Sequence, residues 1–129
     1  MPHLIGPDFI GIQTEDLDAA RSFYSDVVGL KEAPHSPPGA IVFDTKPIPF
    51  AVRKPMVDLG ATERLGWGIA IWFGCDDADA MHDHLLAQGT HIEFSPKDGP
   101  FGRYFAFRDP FGYTITTHTV AQPPSTSAR

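Results

Sequence analysis

Residues 16–30 read DLDAARSFYSDVVGL, a helix complete with its start and its stop. Asp16 stands as an N-cap, its carboxylate accepting from backbone N–H groups that a first helical turn leaves unpaired. From about Leu17 to Val28 the apolar residues Ala20, Phe23, Tyr24 and Val27 recur at the 3.6-residue period and form a buried face. Gly29 suits the left-handed position that ends such a helix. Upstream, Phe9-Ile10-Gly11-Ile12-Gln13-Thr14 alternates as a strand, with Ile10 and Ile12 on one face and Phe9, Gly11 and Gln13 on the other. Downstream, short strands are expected near Leu30–Ala33, Ala40–Asp44 and Pro49–Arg53, punctuated by Pro34, Pro37, Pro38, Gly39 and Pro47.

The same order then repeats. Gly68–Cys75 reads as a strand with Ile71, Phe73 and Cys75 on one face. Asp77 is a second N-cap. A helix from about Ala78 to Gln88 turns Ala78, Met81 and Leu85 inward and stops at Gly89. Strands follow near His91–Ser95, Arg103–Arg108 and Tyr113–Thr119, the last two joined by the turn Asp109-Pro110-Phe111-Gly112. Laying Asp16 on Asp77 gives an offset of about 61 residues, too long for a solenoid and suited to a duplicated half-domain. The expected fold is α+β: two βαβββ modules, residues 1–54 and 67–120, joined by a linker at 55–66. Their curved sheets enclose a cleft with the helices outside. The tail 121–129 has no apolar periodicity and is expected to lack fixed structure.

Bulk properties narrow the function. Hydrophobic residues make up 42% and charged residues 20% of 129, the balance of a folded chain. No apolar run approaches the roughly 20 residues that span a bilayer, and Met1-Pro2-His3-Leu4 does not open a secretory signal. Cys75 is the single cysteine, so no internal disulfide is possible and a reducing, cytoplasmic setting is expected. The net charge is −6, with ten scattered basic residues, which argues against nucleic acid, whose phosphates need clustered Lys and Arg.

The first-helix segment, with Val28-Gly29-Leu30, and the stretch Gly99-Pro100-Phe101-Gly102-Arg103-Tyr104-Phe105-Ala106-Phe107-Arg108-Asp109-Pro110-Phe111-Gly112-Tyr113 resemble the vicinal oxygen chelate superfamily. Its members include glyoxalases, extradiol dioxygenases and bleomycin-resistance proteins. The resemblance covers about residues 8–119. It implies a scaffold more firmly than a chemistry. Metal-dependent members hold one divalent ion through His, Gln or Glu on four strands. The matching positions here are Phe9, Val52, Ala70 and Thr116, which cannot assemble that site. No metal and no cofactor are therefore expected, and the resemblance points to the bleomycin-resistance-like branch. Homodimers are common in the family, so a homodimer is expected.

Strand alternation gives the cavity face as Phe9, Gly11, Gln13, Phe50 and Val52 in the first half. The second half adds Ala70, Trp72, Tyr104, Ala106, Thr114, Thr116 and His118, with Phe101 on a loop at the mouth. The expected ligand-binding set is Phe9, Gln13, Phe50, Val52, Trp72, Phe101, Tyr104, Thr116 and His118, aromatic walls with a few polar groups. His82, Asp83 and His84 read as a solvated helix face, since positions i and i+2 on a helix diverge. His91 and Glu93 share a strand face. Cys75 points at the helix and reads as packing. The expected function is sequestration of an antibiotic or similar partly aromatic compound. The alternative is a lyase or oxidoreductase, either metal-dependent through atypical ligands or cofactor-free with His118 or Tyr104 as acid or base.

Overall fold

The structure is a computed structural model and describes residues 2–120; the expected tail at 121–129 lies outside the described residues. The chain divides into two compact units between Glu63 and Arg64.

The first unit runs β1 (Ile10–Gln13), α1 (Leu17–Arg21), β2 (Ala40–Phe43) and β3 (Phe50–Arg53), with a 3₁₀ turn at Leu59–Ala61. Its sheet has the order β1-β3-β2, with β1 parallel and β2 antiparallel to β3. The strand expected near Leu30–Ala33 is reduced to one bridge, Glu32 to Phe43. Pro34, Pro37 and Pro38 follow at once and have no N–H to extend a ladder.

Asp16 caps α1 as expected, its Oδ1 accepting from the Ala19 N–H at 3.0 Å. The helix does not continue as α to Val28. From Ser22 to Val27 it widens into a π-helical segment, marked by the Val28 N–H donating to the Phe23 carbonyl. The consecutive aromatics Phe23 and Tyr24 are both buried. A wider turn reduces the angle between successive side chains, which lets both face the sheet. The Tyr24 ring lies 5.1 Å from Phe50 and 6.1 Å from Phe43, and Ile12, Ile41 and Val52 complete this core.

The second unit runs β4 (Ile71–Cys75), α2 (Ala78–Ala87), β5 (His91–Lys97), β6 (Tyr104–Arg108) and β7 (Thr114–Thr119). Its sheet has the order β4-β7-β6-β5, with β4 parallel to β7 and the other neighbours antiparallel. Ala78 and Leu85 of α2 are fully buried, and Phe105, Phe107 and Ile115 form the buried side of the sheet. His82 departs from the expected solvated face. Its side chain is only 14% exposed and its ring packs edge-on to Phe105 at 5.4 Å. The β6–β7 turn is held by Asp109, whose Oδ1 accepts from the Phe111 and Tyr113 N–H groups, both at 2.9 Å.

The chain is thus mixed α+β, each unit pairing its first strand in parallel with its last. Asp77 caps α2 as Asp16 caps α1, accepting from the Ala80 N–H at 3.1 Å. Asp77→Ala should lower stability by about 1 kcal/mol, measured as a shift in urea midpoint with unchanged slope. No shift would show that the cap is satisfied by water alone.

Candidate ligand-binding face

In β7, Thr116 is flanked by Trp72 of β4 and Ala106 of β6, and His118 by Gly74 and Tyr104. Residues paired across strands project to the same side of a sheet. Trp72, Tyr104, Ala106, Thr116 and His118 therefore share one face. Ile71, Phe105, Phe107 and Ile115 occupy the other, which α2 covers. The sequence reading placed these five residues together, and the register agrees.

Large side chains gather at one end of that face. The Trp72 ring stacks near-parallel to Tyr104, centroids 5.7 Å apart, and meets His118 at 5.3 Å and Phe101 at 6.1 Å edge-on. Trp72 nevertheless stays 43% exposed and Phe101 68% exposed. The loop carrying Phe101 is tied down at several points. His118 Nδ1 lies 2.8 Å from the Phe101 carbonyl oxygen. A carbonyl only accepts, so Nδ1 carries the proton and Nε2 of the neutral ring is the basic nitrogen. The Arg103 guanidinium donates to Asp79 and Asp98, and the Thr119 N–H donates to the Arg103 carbonyl. Gly99 passes so close to Tyr104 that a Cβ there would lie 2.5 Å from the ring.

Several neighbours were missed from the sequence. Phe94 of β5 packs edge-on to Tyr104 at 5.5 Å, and the Lys97 ammonium sits 4.5 Å from the Phe94 centroid and 5.6 Å from that of Tyr104. At the other end of the face, Glu93 accepts from Arg108 at 2.8 Å, His91 at 3.0 Å and the Thr114 hydroxyl at 3.3 Å. The Arg108 hydrogen bond is the main cause that holds the Glu93 carboxyl below its ordinary range. Simple alternation placed His91 with Glu93, and Thr114 on the cavity face, but did not bring them to Arg108. Ile92 pairs with Phe107 and Phe94 with Ala106, so Glu93 is an extra residue in a bulge, and bulges re-aim side chains.

The first unit requires a correction. Phe50 and Val52 do not share a face with Gly11 and Gln13. Phe50 pairs with Ile10 and Val52 with Ile12, and both sit on the core side, 3% and 0% exposed. The residues beside Gly11 and Gln13 are Ala51 and Arg53. Gln13 Oε1 accepts from the Met56 N–H at 2.7 Å, and Phe9 precedes β1 with 52% exposure. A cavity of about 390 Å³ in this unit is lined by Glu15, Asp16, Asp18, Arg21 and Lys54 among others. Its charged walls do not suit an aromatic ligand.

The same register settles the fourth position that the family resemblance marks for a metal ligand. Phe50 is to Ile10 as Ile115 is to Ile71, so Thr116 corresponds to Ala51, not Val52. Phe9, Ala51, Ala70 and Thr116 offer one hydroxyl and no imidazole, carboxylate or thiolate, so this donor set does not fit a divalent ion. Among the described residues no group of three or more His, Cys, Asp or Glu side chains could hold a metal. Cys75 lies on the helix side, where burial pushes its thiol pKa up and away from thiolate chemistry. No helix among the described residues is long and apolar enough to cross a membrane.

Three comparisons bear on this geometry. The family model "Glyoxalase/Bleomycin resistance protein/Dioxygenase superfamily" matches residues 6–117. The anthracycline biosynthesis protein DauV of Streptomyces sp. (strain C5) is 30% identical over 106 residues. That covers 81% of this chain but only 38% of the relative's length. Among solved structures, UcmS2 superposes with a TM-score of 0.72 at 20% identity, covering 92% of this chain and 100% of that one. A glyoxalase-related enzyme from Fulvimarina pelagi gives 0.72 at 18% identity, covering 91% and 89%. At these identities the structural matches speak for the fold alone.

Gly99→Ala should push the Tyr104 ring out of its stack on Trp72. The expected readout is a changed near-UV circular dichroism spectrum with an unchanged far-UV spectrum. An unaltered near-UV signal would contradict the close approach.

Proposed function

Because the chain belongs to the glyoxalase/bleomycin resistance protein/dioxygenase superfamily, we propose that it binds and sequesters a small, partly aromatic molecule of the antibiotic kind, without metal chemistry. The ligand lies on the open face of sheet β4-β7-β6-β5. The observation that carries this reading is Trp72, which remains 43% exposed although three aromatic rings surround it. A tryptophan serving only as core would bury that surface. Left open between rings, it offers a π-face to a flat ligand, worth roughly 0.5–1.5 kcal/mol beyond burial. The likeness to an anthracycline biosynthesis protein supports a flat polycyclic compound as the class to try first.

A second reading rests on the His118 hydrogen bond to the Phe101 carbonyl. It presents Nε2 as a base beside Trp72, suited to proton abstraction without a cofactor. The two readings part in one experiment. Calorimetric titration of the protein with an anthracycline should show binding, and the compound should be recovered unchanged. Trp72→Ala should weaken binding by about tenfold or more while thermal stability changes little. Unchanged affinity in the folded variant would remove Trp72 from the site. Time-dependent conversion of the compound, lost in His118→Asn, would replace sequestration by catalysis.

We also propose that the protein works as a homodimer. Support comes from apolar side chains left in water: Leu4 and Ile5 in the first unit, 96% and 99% exposed, and Trp67 and Ile69 in the second, 76% and 71%. Large apolar side chains in water gain by being covered, roughly 25 cal/mol for each Å² buried. Light scattering at micromolar concentration should give twice the chain mass, and a monomer would overturn the proposal.

A further inference from the structure

The open face of sheet β4-β7-β6-β5 has two unlike ends. Trp72, Tyr104, Phe101 and His118 form the aromatic end. Glu93, Arg108, His91 and Thr114 form the other, on the same face, because Arg108 and Thr114 pair with each other and lie two residues from Ala106 and Thr116. Arg108 and Thr114 stand four residues, about 13 Å, from Tyr104 and His118 along the same strands, while Trp72, level with Thr116, is about 7 Å from them along the strand direction and two strands from Arg108. Thr116, a small side chain, lies between the ends.

The hydrogen-bonding capacity of the polar end is not used up. An ionised carboxylate has about four acceptor positions, and Glu93 receives three donors, from His91, Arg108 and Thr114. Arg108 has five N–H donors, of which one goes to Glu93. The Arg108 side chain is 41% exposed and that of Glu93 26%. The pair therefore offers one acceptor position beside several donors. Its two charges cancel, so it favours a neutral partner over a free anion or cation. The Arg108 hydrogen bond keeps Glu93 ionised and hence purely accepting at neutral pH.

We propose that Glu93 and Arg108 are specificity-determining residues that select a neutral aromatic ligand with a hydrogen-bond donor beside an acceptor on one edge. A lactam, a carboxamide or a hydroxyl next to a carbonyl has this edge. The donor goes to Glu93 and the acceptor oxygen to Arg108, while the ring reaches toward Trp72. The inference rests on the reading of this face as the ligand site.

Two bicyclic probes of nearly equal size test it on the full chain. Isoquinolin-1(2H)-one carries N–H beside C=O, and its N-methyl derivative lacks the donor. The protein should bind the lactam about tenfold more tightly, the effect of one hydrogen bond to a charged acceptor. Glu93→Gln should bring the ratio close to one and leave the N-methyl probe within about twofold of its original affinity. Arg108→Gln should weaken both probes while keeping the lactam ahead. Equal affinity of the two probes for the unsubstituted protein overturns the inference while leaving an aromatic site in place, provided that Trp72→Ala weakens both. Binding of neither probe overturns it together with the site reading. The comparison on the unsubstituted protein decides the matter even if a variant fails to fold.

Discussion

In the second unit β7 lies between β4 and β6, and its register with both decides which side chains share a face. Thr116 opposite Trp72 and Ala106 fixes all the others, because side chains alternate strictly along a strand. A slip of β7 by one residue would turn Thr116 and His118 toward the α2 side and push Ile115 into water. The buried set opposes that slip. Phe105 and Ile115 have no exposure and Phe107 has 2%, each aliphatic or aromatic side chain contributing roughly 1.5–3 kcal/mol by burial. The helix-side core therefore holds the open face in place without touching a ligand.

How far the sequence could be read follows from the same constraint. The N-caps Asp16 and Asp77 are local signals, and they located both helices and the strand before each. Trp72 was legible because β4 ends two residues before Asp77 and alternates cleanly. Phe50 and Val52 were not. Phe50, Ala51 and Val52 are all buried, so β3 shows no alternation, and its distance from any cap left the register free to slip by one. The parallel pairing of Ile10 with Phe50 is a long-range fact that no local pattern encodes.

Irregularities were hidden for a related reason. The π-helical segment Ser22–Val27 keeps the apolar spacing of an α-helix on paper, and only the structure shows the wider turn, in the Val28 bond to Phe23 and the joint burial of Phe23 and Tyr24. In β5 two register shifts, one between Ile92 and Phe94 and one between Phe94 and Lys97, break the period of two. They put Glu93, Phe94 and Lys97 beside Arg108 and Tyr104. A period-two reading puts Glu93 with His91 and Phe94 on the opposite face, so Phe94 and the link from Glu93 to Arg108 stayed invisible.

The two ends of the face also explain each other. Aromatic stacking alone attracts many flat molecules with little discrimination, because every ring has a π-face. A hydrogen-bonding pair alone on an exposed sheet is weak, since water competes for each donor and acceptor. At opposite ends of one sheet, with Thr116 between them, the two would constrain the same ligand on the proposed reading. In the proposed complex the rings would exclude water from one flank of the ligand and set its plane, and the bulge at Glu93 would fix which edge is read. Discrimination of this kind comes mainly from polar groups left unpaired by the wrong ligand. It requires no metal, which accords with the side chains at Phe9, Ala51, Ala70 and Thr116. The superfamily's scaffold is kept here without donors at its usual metal positions, and the proposed use of it is recognition by shape and hydrogen bonding.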